Sequence, residues 1–174
     1  LQQQDYNEKL QAPQAYDVYE KMRNDGQVKA LLTAIKSPLL NADWFVEPGS
    51  DSALDREIAE RVEQNLMRGM TTSWRDYLRQ ALLYLDYGSM PFETVWVIED
   101  GLVMLRKLAP RLPKTVQEWL TDETGGLAGI RQGTSTASGW KTVDIPVEKL
   151  LLFVNDLEGS NWRGTSILRS AHKH

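Results

Sequence analysis

The fold is decided by residues 88–108, which read GSMPFETVWVIEDGLVMLRKL. Across residues 92–98 every second side chain belongs to the same face of an extended chain, and a period of two is typical of a strand. Asp100-Gly101 then forms a dipeptide that tolerates the positive φ angles of a tight two-residue turn. The apolar run 102–108 follows at once, so this stretch predicts a β-hairpin.

Helical spacing dominates the chain before this hairpin. Apolar side chains recur at three- and four-residue intervals from Trp74 to Leu85, which predicts an amphipathic helix that ends at Tyr87-Gly88. A short aromatic run at residues 42–46 predicts a strand. Two further helices are predicted on either side of Asp25-Gly26. The first carries Tyr16, Tyr19 and Met22, and the second, which precedes Pro38, carries Val28, Leu31, Leu32 and Ile35. Another predicted helix is capped by Asp51 or Ser52, ends at Gly69 and carries Ile58, Val62 and Leu66.

Short strands and turns dominate the chain after the hairpin. Gly125-Gly126 is a turn signal between two apolar runs and predicts a second hairpin. The Gly-, Ser- and Thr-rich residues 133–139 predict a flexible loop. The predicted strands cover residues 115–120, 127–132, 140–145 and 149–154.

Helices first and antiparallel strands afterwards predict an α+β fold with N-terminal helices followed by a β meander. We expect residues 1–12 to be a polar arm and residues 13–165 to form one α+β domain. Thr165 or Ser166 can cap a closing helix, so residues 166–174 are predicted to begin a truncated helix. Because the chain starts without Met and stops within this helix start, we expect it to be part of a longer protein.

The overall composition bounds the class of protein. The chain has 174 residues, 41% of them hydrophobic, which is enough for one domain with a real core. Twenty basic and twenty-four acidic residues leave a net charge of −4, so no general positive field attracts nucleic-acid phosphates. The sequence contains no cysteine, which excludes disulfides and thiolate ligands. No apolar run approaches the length of a membrane helix.

Few residues could carry catalysis. His172 and His174 stand at the end of the chain without an acidic residue at helical spacing, so neither a serine triad nor a metal site is predicted. Asp86 and Glu93 flank the corner at Gly88, where two carboxylates could in principle share acid and base work. We favour a solvated or ion-paired role for both, because catalytic acids are a minority of acidic residues. No catalytic residue, metal ligand or cofactor site is therefore predicted.

Tryptophans are unusually frequent for this length. Without a basic stripe beside them, they do not predict a nucleic-acid-binding module. Trp74 on a helix face and Trp96 on a strand face favour a core or a subunit interface, whereas Trp162, in a polar loop, is the candidate for a contact with a partner. The six are Trp44, Trp74, Trp96, Trp119, Trp140 and Trp162.

Several segments stand in a characteristic order along most of the chain, from about residue 16 to residue 169. They are 22–32, which begins MRNDGQV; 42–48, which reads ADWFVEP; 82–96, with Tyr87-Gly88-Ser89 and Glu93-Thr94-Val95-Trp96; 108–111; 145–150; and 161–169, which reads NWRGTSILR. This succession resembles the portal proteins of tailed bacteriophages, in the branch typified by phage Mu. Residues 82–96 look like that family's helix-to-strand corner, and residues 161–169 are similar to the segment that leads into its long stem helix.

The resemblance implies a structural, non-enzymatic protein of the virus particle. A portal is a ring, typically dodecameric, at one capsid vertex, through which DNA is packaged and later ejected. The implied partners are further copies of the chain, terminase, capsid proteins, neck or tail proteins, and double-stranded DNA that passes without sequence-specific binding. The implied location is the virion, after assembly in the cytoplasm of the bacterial host, with no membrane contact. This chain would be the outer wing portion, so channel-lining and terminase-docking residues would lie outside it.

The resemblance also selects candidate interface or structural residues. They are Trp44, Tyr87, Gly88, Glu93, Trp96, Trp162, Gly164 and Arg169. Two alternatives from other classes stay open at this point: a polysaccharide hydrolase that uses Asp86 and Glu93, and a small adaptor that binds a protein partner through Trp162 and its loop.

Overall fold

A computed structural model describes residues 8–137 and 139–172. Five α-helices lie in the first half of these residues: α1 Gln14–Arg23, α2 Gly26–Asn41, α3 Ala53–Gln64, α4 Trp74–Ala81 and α5 Leu83–Tyr87. Six strands follow: β1 Ser89–Glu99, β2 Leu102–Pro110, β3 Val116–Thr121, β4 Leu127–Thr136, β5 Gly139–Pro146 and β6 Leu150–Val154. The predicted α+β class, with helices before antiparallel strands, is confirmed.

Side-chain caps explain where three helices begin. The carboxylate of Asp25 accepts hydrogen bonds from the first backbone amides of α2. Ser52 and Ser73 do the same for α3 and α4, each through its hydroxyl oxygen. Such caps satisfy amides that have no partner inside the helix. Of the two caps predicted for α3, Asp51 and Ser52, the structure uses Ser52.

The strands form two antiparallel three-stranded sheets. The first has the order β2-β1-β6 and the second the order β3-β4-β5. The β1–β2 turn is the predicted one, since Asp100 and Gly101 have φ angles of 51° and 78°. Beyond residue 93, β1 pairs with β2 alone, so the end of this hairpin projects past β6.

Three groups of buried side chains hold these elements together. Helices α4 and α5 cover the first sheet through Tyr77, Met90 and Phe92. Helices α1 and α2 pack on α5 through a second group that includes Tyr16 and Tyr87. The third group lies within the second sheet and consists of Val116, Ile130 and Ile145.

The two ends of the described chain lie near this second group. Within the predicted arm, Glu8–Leu10 form a single 3-10 turn, and Leu10 packs against the group; residues 1–7 lie outside the described residues. At the other end the predicted closing helix is replaced by one 3-10 turn, Arg169–Ala171. Residues 173 and 174 also lie outside the described part.

The strand predicted at residues 42–46 is wrong, because this segment is extended without a strand partner. One backbone amide of the segment bonds to a side chain instead, since the amide of Val46 donates to the carboxylate of Glu63. The indole N–H of Trp44 donates to the carbonyl of Leu39 and so attaches the segment to the end of α2.

The flexible loop predicted at residues 133–139 is also wrong. Strands β4 and β5 pair through Gly133↔Thr142 to Thr136↔Gly139, so most of the supposed loop is a hairpin; Ser138 itself lies outside the described residues. Threonine is a good strand former, and a composition of Gly, Ser and Thr conceals that property.

Helix α2 departs from its prediction in two ways. It continues through Pro38 to Asn41. Because proline has no N–H, the carbonyl of Ala34 lacks a helical donor, and water can replace it since Ala34 and Pro38 are both exposed. Of the predicted apolar face, Leu32 is buried, whereas Leu31 and Ile35 are exposed. The structure therefore leaves much of the apolar surface of α2 uncovered.

Candidate functional site

The corner between α5 and β1 is built on two glycines. Gly88 ends α5 with a φ of 94°, and its amide donates to the carbonyl of Tyr84 over 2.8 Å. Gly164, with a φ of 60°, comes up against it from the far end of the chain. A Cβ atom on Gly88 would stand 2.6 Å from the carbonyl oxygen of Arg163. The structure thus brings the predicted residues Gly88 and Gly164 together, and both must be glycine.

Hydrogen bonds attach residues 164–172, here called the outgoing segment, to this corner. The hydroxyl of Ser166 donates to the carbonyl of Asp86 over 2.6 Å, and the amide of Ile167 donates to the carbonyl of Leu85 over 3.0 Å. Asn155, which follows β6, also bonds to the corner: its backbone N–H donates to the carbonyl of Gly88 over 2.8 Å. Residues 166 and 167 are therefore attached to α5, and residue 155, just after the last strand of the first sheet, is attached to the same corner.

Asp86 is the charged centre of the corner. Its side chain is fully buried, with Oδ2 2.8 Å from Nε of Arg23 and Oδ1 2.5 Å from Nζ of Lys36. Burial lowers the pKa of Lys36, while the hydrogen bond to Asp86 opposes that shift. Because Arg23 belongs to α1 and Lys36 to α2, the carboxylate ties both helices to α5.

Tyr87 joins the same cluster. Arg23 donates a 2.6 Å hydrogen bond to the phenol oxygen of Tyr87, and its guanidinium carbon lies 5.2 Å from the centre of the ring. The ring of Tyr16 packs edge-on against Tyr87 at 6.1 Å. Burial raises the pKa of Tyr87, and the nearby Arg23 opposes this shift. The cluster therefore connects α1, α2 and α5 through side-chain contacts.

Arg23 and Lys36 were missed by the sequence analysis. They lie 63 and 50 positions from Asp86, so no local pattern links them to it. One signal was available for Lys36: it follows the buried Leu32 by four residues and so lies on the same side of α2. A lysine on the buried side of a helix needs an acidic partner.

Glu93 lies in a different ion pair from Asp86. Its carboxylate is bound by the guanidinium of Arg111, which follows the end of β2. Asp86 has no exposed surface, and Glu93 is only partly exposed. The geometry therefore offers no pair of free carboxylates to one substrate, and the ion-paired role that we favoured describes both residues.

A cleft of about 440 Å³ lies between α1, β3 and the outgoing segment. Tyr87, Trp162, Gly164 and Arg169 all line it, so four of the candidate residues meet here. Trp162 is half-buried, and its indole N–H has no partner among the described residues.

The other candidate tryptophans lie on different surfaces. Trp44 packs edge-on against Trp74 at 6.0 Å, and Trp44 itself is exposed. Trp96 is exposed on the projecting β1–β2 hairpin, where its indole donates to the hydroxyl of Thr94 over 3.1 Å. Trp96 therefore does not belong to the core, and of the two predicted roles only that in a subunit interface stays a prediction.

Two further surfaces are apolar and uncovered. Leu31, Ile35 and Leu39 form a stripe along α2, and Leu54, Ile58 and Val62 form a stripe along α3. These six side chains are 41–64% exposed. Leu31, Ile35, Ile58 and Val62 are at the predicted helical spacing, but none of the six side chains is among the candidates for contact with another molecule.

Other kinds of site were also considered. Within the described ranges, no three His, Asp or Glu side chains come together as a metal-binding group. His172 follows the last 3-10 turn with a buried Nδ1, and His174 lies outside the described residues. No helix in the described part of the chain has the length and apolar character needed to cross a membrane.

The amino-acid sequence matches a known protein family. A family model described as the portal protein of Mu bacteriophage matches residues 16–174. The match runs from α1 through both sheets and into the outgoing segment. It confirms the resemblance that the ordered segments indicated.

Proposed function

The chain belongs to the family of Mu bacteriophage portal proteins, and we propose from this premise that it is the wing of a portal subunit that assembles into a ring at a capsid vertex. The portal family is structural, which makes the protein a component of the virion. The match over residues 16–174 is the observation that carries the proposal. The ring would be the conduit for DNA during packaging and ejection and would join the head to the tail.

We assign residues 13–165 to the wing and residues 166–174 to the start of the stem. The hydrogen bonds of Ser166 and Ile167 to α5 support this division, because they give the outgoing chain a firm attachment. A stem that continues from this point would pass force to the wing through the Asp86 cluster.

The charge of the chain is compatible with a conduit. At −4, the chain offers no general attraction for phosphates that would hold DNA in place. Duplex DNA could therefore slide past without sequence-specific binding. Further copies of the chain, terminase, capsid proteins and neck or tail proteins are the proposed partners.

Electron microscopy of the complete subunit tests the proposal. We expect closed rings with a central channel, and a phage that lacks the gene should fail to package DNA until the gene is supplied in trans. Two results together would remove the proposal: the complete subunit stays monomeric at high concentration, and the phage without the gene packages DNA normally.

A further inference from the structure

The exposed side of α2 is wide and uncharged. Ala30, Leu31, Ala34, Ile35 and Leu39 are all exposed there, and only Leu32 of this helix is fully buried. The two alanines leave room for another helix to come close. A continuous apolar face of this kind is characteristic of a contact with another protein.

Helix α3 carries a matching stripe. Leu54, Ile58 and Val62 repeat at every fourth residue, with the same spacing as the stripe on α2. The first and last residues of each stripe are eight positions apart, so each stripe is about 12 Å long. Rows of residues spaced by four form the ridges that pack against one another in the commonest class of helix contact.

The charges around the two stripes are complementary. Helix α2 contains two lysines and no acidic residue, and Lys29 is exposed. Residues 42–64, which lead into and include α3, contain seven acidic and two basic residues. This short segment has a net charge of −5, more negative than the whole chain at −4.

Rotational symmetry excludes α2 from meeting its own copy in a ring. A contact between identical surfaces is closed after two subunits, whereas a ring of more than two needs two different surfaces that meet head to tail. Within one chain α2 and α3 do not pack lengthwise on each other, so both stripes are open to neighbours.

We propose that the apolar face of α2 packs against the stripe of α3 on the neighbouring copy of the chain. Lys29 would then lie toward the acidic surroundings of the neighbour's α3. This inference rests on the proposed ring and assigns the helices that join its subunits.

Cysteine cross-linking tests the contact, because these 174 residues contain no cysteine and any cysteine elsewhere in the complete subunit is first changed to serine. Ile35→Cys and Ile58→Cys are placed together in the complete subunit, which is then treated with a short bis-maleimide. We expect a ladder of covalent multimers on a denaturing gel, while each single variant stays monomeric. A matched control pairs Ile35→Cys with Ile98→Cys and should give no ladder, although Ile98, near the hairpin end, is more exposed than Ile58, at 73% against 50%.

The outcomes separate the contact from the ring itself. Rings seen by microscopy together with no ladder would overturn the α2–α3 contact and leave the proposed function standing. Covalent dimers from Ile35→Cys alone would show an α2–α2 contact, and a ladder only from the control pair would move the contact to the hairpin; either result overturns the inference. The absence of rings from the unmodified subunit would remove the proposed function as well.

A second variant gives an independent measurement. Ala34→Arg places a charge in the centre of the α2 face and should reduce the fraction of assembled subunits at least tenfold. Thr33→Arg, on the same helix but off that face, should assemble normally. Both variants should keep the circular dichroism spectrum of the unmodified subunit, so that equal assembly by the two would contradict the proposal.

Discussion

Gly88 and Gly164 pack backbone against backbone, so that neither position has room for a side chain. A methyl group on Gly88 would lie 2.6 Å from the carbonyl oxygen of Arg163 and 2.9 Å from the carbonyl carbon of Gly164. This contact joins residues 76 positions apart. It places Gly164 beside the corner at which the helices give way to the sheets.

Gly88→Ala should destabilise the protein by about 3 kcal/mol, since it combines a positive φ with a steric clash. Gly125→Ala is the matched control: its φ is 85°, but nothing lies within 4 Å of the added Cβ. We expect the control to lose only about 1 kcal/mol, from backbone strain. Urea denaturation measures both values, and equal losses would show that the contact with Gly164 is unimportant.

Asp86→Asn should cost about 3 kcal/mol of stability, because it leaves Arg23 and Lys36 beside a neutral side chain in a buried place. Asp51 serves as the control, since it pairs with Arg56 over 3.0 Å on the surface. We expect Asp51→Asn to change stability by less than about 0.5 kcal/mol. Comparable urea midpoints for the two variants would argue against a structural role for the buried cluster.

The side chain of Asn65 forms two hydrogen bonds with the backbone of β2. Its amide nitrogen donates to the carbonyl of Leu105 and its oxygen accepts from the amide of Leu105, each over 2.9 Å. Asn65→Ala should lower stability by about 2 kcal/mol, because both backbone groups lose their partner. The exposed neighbour Gln64, changed to Ala, should have almost no effect in the same thermal denaturation experiment. A similar melting temperature for both variants would show that these two hydrogen bonds do not stabilise the protein.

Tyr77 should make stability depend on pH in the alkaline range. Burial raises its pKa to about 12, whereas an unfolded tyrosine ionises near pH ~10. Between these values the folded state binds more protons, so stability falls as pH rises, by about 1.4 kcal/mol per pH unit. Below pH ~10 this contribution is fully present.

Tyr77→Phe tests this dependence. The variant should show a shallower loss of stability than the unmodified protein in urea denaturation between pH ~10 and pH ~12. The remaining slope would come in part from Tyr16 and Tyr87, whose pKa values burial also raises. Identical slopes for the two proteins would show that Tyr77 ionises as freely in the folded state as in the unfolded one.

Several elements could be predicted from local sequence because their causes are local. Ser52, one of the two predicted caps, begins α3, and Asp100-Gly101 makes the turn that its residue types favour. Each of these depends on hydrogen bonds or φ preferences within a few residues. The errors at residues 42–46 and 133–139 concern strand pairing: the first segment has no strand partner, whereas residues 133–136 of the second pair with residues 139–142 just beyond them, and composition alone shows neither.

The candidate site was predictable only in part. Tyr87, Gly88 and Gly164 were singled out, and the structure brings them to one corner. Their neighbours Arg23 and Lys36 were not, because the pairing with a buried acid depends on how α1 and α2 pack on α5. The direction of an apolar helix face is equally nonlocal, since the spacing of Leu31 and Ile35 is the same whether a core or another molecule covers them.

Taken alone, the amino-acid sequence determined the helices, the first hairpin, the α+β order and the family resemblance, because these follow from the spacing and order of residues along the chain. Only the tertiary structure decided that Asp86 is neutralised by two helices at once, that two glycines touch across 76 positions, and that the stripes on α2 and α3 stay open to a neighbour. Those outcomes depend on which surfaces are used up when the elements pack, and spacing along the chain carries no information about that.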